Sequence, residues 1–173
     1  MHVLFVCTGN ICRSPIAERL AVLFAEQSQV PNLTASSAGT RALVGYPIHP
    51  DSVRVIEQFG GDASDFSARR LSSKIASGAD LILTMTRAHS DIVLESAPRQ
   101  LRRTFTLAQA ARLITEFGPA SVDDLAGLRP QLAADQGWDI ADPIGQSSEV
   151  FVEVGARIAD LLPPILELCR RSE

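Results

Sequence analysis

The chain has 173 residues, 46% of them hydrophobic and 21% charged, which is enough apolar material for one packed domain and too much for a disordered chain. Lys and Arg total 16 against 20 Asp and Glu, a formal charge of −4, and no basic stripe of the kind nucleic-acid binding requires is present. No apolar run reaches the ~20 residues of a membrane span, Met1–Cys7 lacks the features of a secretory leader, and Cys7, Cys12 and Cys169 are too few for a disulfide framework. The expectation is a single cytoplasmic domain over residues 1–173, without nucleic-acid binding or membrane insertion.

His2 to Cys7 is a short, nearly all-apolar run, the pattern of a strand buried on both faces. A loop, Thr8 to Arg13, follows, and Ser14 is expected to cap a helix with Pro15 in its first turn and Ile16, Leu20, Leu23 and Phe24 on one face. Leu33 to Ala38 reads as a second strand stopped by Gly39. Pro50 opens a helix with Val53, Ile56 and Phe59 inward, ended by Gly60-Gly61. A short helix at Ser72 to Ala76 leads into a third strand, Asp80 to Met85. A helix over about Arg87 to Glu95 and a fourth strand at Arg103 to Leu107 come next. Residues 118 to 147 read as a helix-poor surface excursion. The last helix runs from about Ser148 to Cys169 with Phe151, Val154, Ile158, Leu161, Ile165 and Leu168 along its face, and Pro163-Pro164 should kink or interrupt it. Strands alternating with helices predict an α/β fold with a parallel sheet covered on both sides.

The loop after the first strand carries the chemistry. A strand that turns through a Gly-containing loop into a helix presents backbone N–H groups and a helix N-terminus to an anion. Cys7 opens this loop and Arg13 closes it with five residues between. A ring of amides and a guanidinium favour the thiolate, and Arg13 can grip two phosphoryl oxygens with its planar fork. A thiolate beneath a bound phosphate is a nucleophile aimed at phosphorus. Ser14 can donate a hydrogen bond to the sulfur. Asn10 tolerates a left-handed backbone and can tie the loop to its neighbours. Thr8, Gly9, Asn10, Ile11, Cys12, Arg13 and Ser14 are therefore the expected phosphate cradle.

The stretch Val6-Cys7-Thr8-Gly9-Asn10-Ile11-Cys12-Arg13-Ser14-Pro15 resembles the signature of the low-molecular-weight protein tyrosine phosphatases. The resemblance continues at Ser36-Ser37-Ala38-Gly39-Thr40, Ala42-Leu43-Val44-Gly45, Leu81-Ile82-Leu83-Thr84-Met85 and Asp142-Pro143. It implies a four-stranded parallel sheet flanked by helices on both faces, with the phosphate loop between strand 1 and helix 1. It also implies a cysteinyl-phosphate intermediate, a phosphotyrosine protein substrate, and no metal or other cofactor. Carried over, Cys7 is the nucleophile, Arg13 the clamp, Ser14 the aid to thiolate departure, and Asn10 and Ser37 the loop supports. Asp142 is the general acid, which the chemistry needs because an unprotonated leaving oxygen departs slowly. Asp123, Asp124, Asp135 and Asp139 share the excursion, and Asp142 is preferred for the adjacent Pro143 and the family match. Cys12 is either a partner for a reversible disulfide with Cys7 or a small buried hydrophobe.

The chain also departs from the family. Ile144-Gly145 stand where many members carry aromatics after Asp-Pro, and Trp138 is either a substitute wall or a lid anchor. The other wall reads as Leu43 and Val44 with Tyr46 close by, an aliphatic rim resembling the bacterial branch found with capsule and exopolysaccharide tyrosine kinases. Phe66 takes a position often His in eukaryotic members, so that brace is absent. Asp65, Arg69 and Arg70 form a charged rim or a solvated face, and Arg87 and His89 read as surface residues of a helix. Ile11 favours phosphotyrosine over phosphoarginine, because the arginine-specific branch carries Thr there; Asp142-Pro143-Ile144-Gly145 resembles that branch. Arsenate reduction on the same fold and a silent phosphoprotein-binding module are the other readings. The expected assembly is a monomer or weak dimer, with a bacterial tyrosine kinase as a possible partner.

Overall fold

The computed structural model describes residues 1–132 and 137–172. Four parallel strands form one sheet in the order β2-β1-β3-β4: β1 (His2–Cys7), β2 (Thr34–Gly39), β3 (Leu81–Thr84) and β4 (Thr104–Thr106). Helices cover both faces: α1 (Arg13–Gln27), α2 (Pro50–Gln58), α3 (Ser73–Ser77), α4 (Arg87–Ser96), α5 (Leu107–Phe117), α6 (Val122–Gly127) and α7 (Ser148–Arg171). The doubly covered parallel sheet is the expected one. Its physical signature is β1 itself, where Val3 to Cys7 are all buried, so each side chain meets a helical layer whichever way it points.

The two faces are unequal. Val3, Phe5, Leu81, Leu83 and Phe105 join the larger core under α1, α2, α5 and α7. Leu4, Val6, Ile82, Val93 and Ala97 form the smaller core beneath α3 and α4. Strand β1 has β2 on one side and β3 on the other, so the chain direction across the sheet reverses there. The crevice outside the carboxyl ends of such strands is where α/β sheets bind ligands.

Several local expectations shift. Ser14 does not cap α1: Cys12 is the N-cap, with no side-chain cap bond, and the Ser14 hydroxyl is used by the neighbouring loop instead. The inward residues of α2 are Ser52, Val55 and Ile56, while Phe59 is exposed against an edge of Phe24. Helix α5 follows β4 at once, its start set by a capping box of Thr106 and Gln109 that the strand reading of Leu107 hid. The excursion holds α6, capped by Ser121. Helix α7 runs unbroken through Pro163 and Pro164, held by packing against α1, α2 and α5, with Leu162 rather than Leu161 turned fully inward.

Candidate active site

The loop from Cys7 to Cys12 is shaped by where its carbonyls go. Cys7 O accepts from Thr40 N at 2.9 Å, Thr8 O from Arg41 N at 2.9 Å, Gly9 O from Leu43 N at 3.0 Å, Ile11 O from His49 N at 2.8 Å and Cys12 O from Ile16 N at 3.1 Å. With the carbonyls drawn outward, none of the N–H groups of Gly9, Asn10, Ile11 and Cys12 donates to a protein acceptor among the described residues. The first turn of α1 holds no acidic side chain to compensate them. An uncompensated amide nest at a helix N-terminus is an anion site. The close seat of the loop on β2 needs Gly39, where a Cβ would lie 2.5 Å from Thr8 O.

Asn10 holds the turn together. It takes φ 56°, donates through Nδ2 to Ser14 Oγ (3.0 Å) and Ser37 Oγ (2.8 Å), and accepts at Oδ1 from Arg69 N at 2.8 Å. Ser14 Oγ therefore receives the Asn10 amide and keeps its own proton for Cys7 Sγ, 3.0 Å away. Ser37 donates onward to Glu18 Oε2, a carboxylate missed in the sequence because it lies on the helix, away from the motif's ends. Arg69 adds a second brace, Nε to Ser37 O at 2.8 Å, and with Asp65 lines a separate hollow rather than the rim of the cleft. Phe66 lies 5.8 Å under the Arg19 guanidinium, so a ring contact stands where the brace is missing.

Arg13 is buried, with 4% of its surface exposed. Nη1 donates to Ile140 O at 2.9 Å and Nη2 to Asp142 Oδ2 at 2.7 Å, while Nε has no acceptor among the described residues. The segment that carries Asp142 is pinned by Ile140 N to Met85 O, by Arg87 N to Asp139 Oδ1, and by Ile144 N to Asp142 Oδ1. Cys7, Thr8, Gly9, Ile11, Cys12, Arg13 and Asp142 line one cavity of about 250 Å³, closed at its rim by Arg41, Leu43 and Ile144. Asn10, Ser14 and Ser37 stand behind it as supports. Among the competing carboxylates, Asp139 is spent on the α4 amide, Asp123 pairs with Arg102 and Asp124 bonds Ser121. Asp135 lies outside the described residues.

Other expectations are corrected. His89 is 5% exposed, not on the helix surface: its ring lies between Thr8 Oγ1 (Nε2, 2.8 Å) and Thr86 Oγ1 (Nδ1, 2.9 Å). Burial, then Arg13, push its pKa down to about 4. Trp138 is buried and is not part of the cavity lining. Val44 and Tyr46 are exposed outside the lining, leaving Leu43 and Ile144, with Ile11 from the loop itself, as the apolar walls. Cys12 is a free, buried thiol, and burial pushes its pKa up to about 12. Arg41, exposed at the cavity's edge, carries no signal in the sequence; it belongs to the site because its backbone N–H bonds Thr8 O.

The family model of the low molecular weight phosphotyrosine protein phosphatases matches residues 2–124. The chain belongs to that family. It is 37% identical over 107 residues to the probable low molecular weight protein-tyrosine-phosphatase EpsP of Ralstonia nicotianae, covering 62% of this chain and 70% of that one. It is 30% identical to a protein-arginine-phosphatase of Geobacillus stearothermophilus, over 96% of this chain and 94% of that one. A crystal structure of a low molecular weight protein tyrosine phosphatase from T. tengcongensis superposes with a TM-score of 0.78 at 29% identity, covering 96% of this chain and 98% of that one. Asp142 lies beyond the matched residues of the family model, so its place in the site rests on the Arg13 contact and the shared cavity.

Proposed function

We propose that this family member is a protein tyrosine phosphatase that hydrolyses phosphotyrosine through a cysteinyl-phosphate intermediate. The observation that carries this reading is the Arg13 side chain: a buried guanidinium whose Nε lacks an acceptor among the described residues, lining the same cavity as Cys7. A buried N–H left unmatched is costly unless a ligand supplies the acceptor, and a phosphoryl oxygen does so with charge assistance. Binding proceeds by phosphoryl oxygens entering the amide nest and the Arg13 fork. To grip bidentately, Nη2 turns from Asp142 to phosphate; released from its ion pair, the Asp142 carboxylate takes a proton from solvent and is then the acid that protonates the leaving oxygen. Cys7 Sγ attacks phosphorus, the P–O bond to the leaving group breaks, and that oxygen takes the Asp142 proton. Asp142 then removes a proton from water, which attacks phosphorus and expels the Cys7 thiolate onto the Ser14 hydroxyl.

Ile11 in the cavity lining supports tyrosine, since an apolar branched chain packs against a phenyl face and offers nothing to a guanidinium. The second reading, phosphoarginine, is favoured by the alignment of an arginine phosphatase along nearly the whole chain and by Ile144 at the acid loop. The substrate is a phosphorylated protein, with a tyrosine kinase as its natural counterpart, met in the cytoplasm by a monomer or weak dimer of this single-domain chain. No helix among the described residues is long and apolar enough to cross a membrane.

The test is turnover of para-nitrophenyl phosphate, phosphotyrosine peptides and phosphoarginine peptides by purified protein, with arsenate reduction measured alongside. Cys7→Ser is expected to leave less than about one hundredth of the rate while phosphate binding persists, because the loop amides and Arg13 bind and only sulfur attacks. Arsenate reduction without phosphatase turnover, or phosphate binding without any turnover, overturns the assignment.

A further inference from the structure

We propose that His89 is a positioning residue that holds the Thr8 side chain as a hydroxyl donor to the phosphoryl group bound in the Cys7–Arg13 loop. This deepens the proposed reaction and rests on that reading for its ligand. The first observation is that the His89 ring spans from the end of β3 to the phosphate loop. Thr86 caps α4 and accepts the His89 backbone N–H at 3.2 Å, and the ring folds back from the first helical turn. Its Nδ1 lies 2.9 Å from Thr86 Oγ1 and its Nε2 2.8 Å from Thr8 Oγ1.

Counting donors leaves two sets of proton positions. A neutral imidazole has one N–H and one lone-pair nitrogen. Of the two tautomers these distances allow, we take the one in which Thr86 Oγ1, already holding the backbone N–H, gives its own proton to Nδ1, so that the proton left over is Thr8's, beside the anion site, and not Thr86's. That places the ring proton on Nε2, which donates to Thr8 Oγ1. The Thr8 hydroxyl, having accepted, must send its proton elsewhere, and Thr8 Oγ1 has no other hydrogen-bond partner among the described residues. Thr8 lines the cavity with Cys7 and Arg13. A donor with no protein acceptor beside an anion site is matched by a phosphoryl oxygen, and an O–H to a charged oxygen is among the stronger hydrogen bonds.

The surroundings keep the relay in this state. The charged groups facing the ring are Arg13 and Arg41, which disfavour a second ring proton, and Asp142 and Asp139, which favour one. Burial is the largest influence and acts with the two arginines against the two carboxylates, so the ring is neutral above about pH 4. A protonated ring would present N–H at both nitrogens and force the Thr86 hydroxyl to turn away.

The experiment combines imidazole nitrogen NMR on the full-length protein with a double-mutant cycle on Thr8→Val and His89→Phe. The Nε2–H tautomer is expected for His89 between pH 6 and 8. Each single variant is expected to lose about tenfold to a hundredfold in kcat/KM, the worth of one hydrogen bond to a charged group, and the double variant no more than the worse single. The affinity for inorganic phosphate should fall in Thr8→Val, a measurement that needs no turnover and so separates failure of this relay from failure of the phosphatase assignment. An Nδ1–H tautomer, additive losses, or unchanged phosphate affinity in Thr8→Val overturns the proposal. Should His89→Phe not fold, His89→Gln, whose amide can still donate to Thr8, takes its place in the cycle with partial retention of kcat/KM expected; a loss equal to that of Thr8→Val in this variant also counts against it.

Discussion

Each polar side chain that lines or braces the cleft has its partner set by a neighbour's prior commitment. Ser14 turns its proton to Cys7 because its oxygen already holds the Asn10 amide, and Asp142 is the carboxylate of that stretch that reaches Arg13, while Asp139 takes the Arg87 amide and Asp123 pairs with Arg102. Asp142→Asn should therefore cost about a hundredfold or more for alkyl phosphates and less for para-nitrophenyl phosphate, whose leaving oxygen needs little protonation. A steady-state series of leaving groups checks this, and an equal loss across the series would move the acid elsewhere. Ile11 is the residue that separates the two phosphoamino acids. Ile11→Thr should weaken phosphotyrosine turnover and raise phosphoarginine turnover by about tenfold to a hundredfold in ratio, the ~1–3 kcal/mol of one pocket contact exchanged. Paired kcat/KM values on matched peptides read it; a wild-type preference for phosphoarginine would shift the weight to the acid loop.

Secondary elements act here mainly through their ends. The carboxyl ends of β1, β2 and β3 meet at one crevice, and the register that pairs Cys7 with Gly39 and Val6 with Thr84 brings the phosphate loop, the Thr40–Leu43 segment and the start of α4 together. Gly39 is the tightest of these junctions, since an added Cβ would press on Thr8 O and on Ala42 Cβ, 2.9 Å away. Gly39→Ala should push the loop off its seat, destabilise by about 1–3 kcal/mol and lower kcat/KM by about tenfold to a hundredfold. Thermal melting and kinetics on the folded protein separate the two effects. Wild-type kinetics in the variant would mean that β2 and not the loop absorbs the shift. Helix α7 makes the opposite point about ends and middles. Its two prolines remove interior N–H groups, yet contact with three helices along its length outweighs the local loss.

At the scale of the whole molecule, folding couples to protonation through His89. Its pKa is about 4 in the folded protein against about 6.5 when unfolded, so the unfolded chain binds the proton more readily. The stability that the neutral ring contributes is complete above about pH 6.5 and is lost as pH falls toward about 4. Melting temperature should decline across that window, and His89→Gln should flatten the decline; an unaltered slope would show that other groups cause it. Much of this molecule was legible in the order of its residues. A short, nearly all-apolar run between turn signals reads as a strand covered on both faces, and a Cys and an Arg with five residues between them at a strand-to-helix turn read as the two ends of an anion loop. Those are local facts, set by periodicity and by the short reach of a seven-residue loop. Other features depend on residues far apart in the chain. The 129-residue separation of Arg13 and Asp142, the support of Ser37 by Glu18, and the burial of His89 against Thr8 are contacts that no local pattern encodes. A histidine on the first turn of a helix after a strand reads as surface until the sheet closes and the phosphate loop covers it. The sequence alone therefore determined the fold class and the family, and tertiary packing decided which hydroxyl, carboxylate and imidazole meet the Cys7–Arg13 loop, because hydrogen-bond partners are chosen by proximity in space.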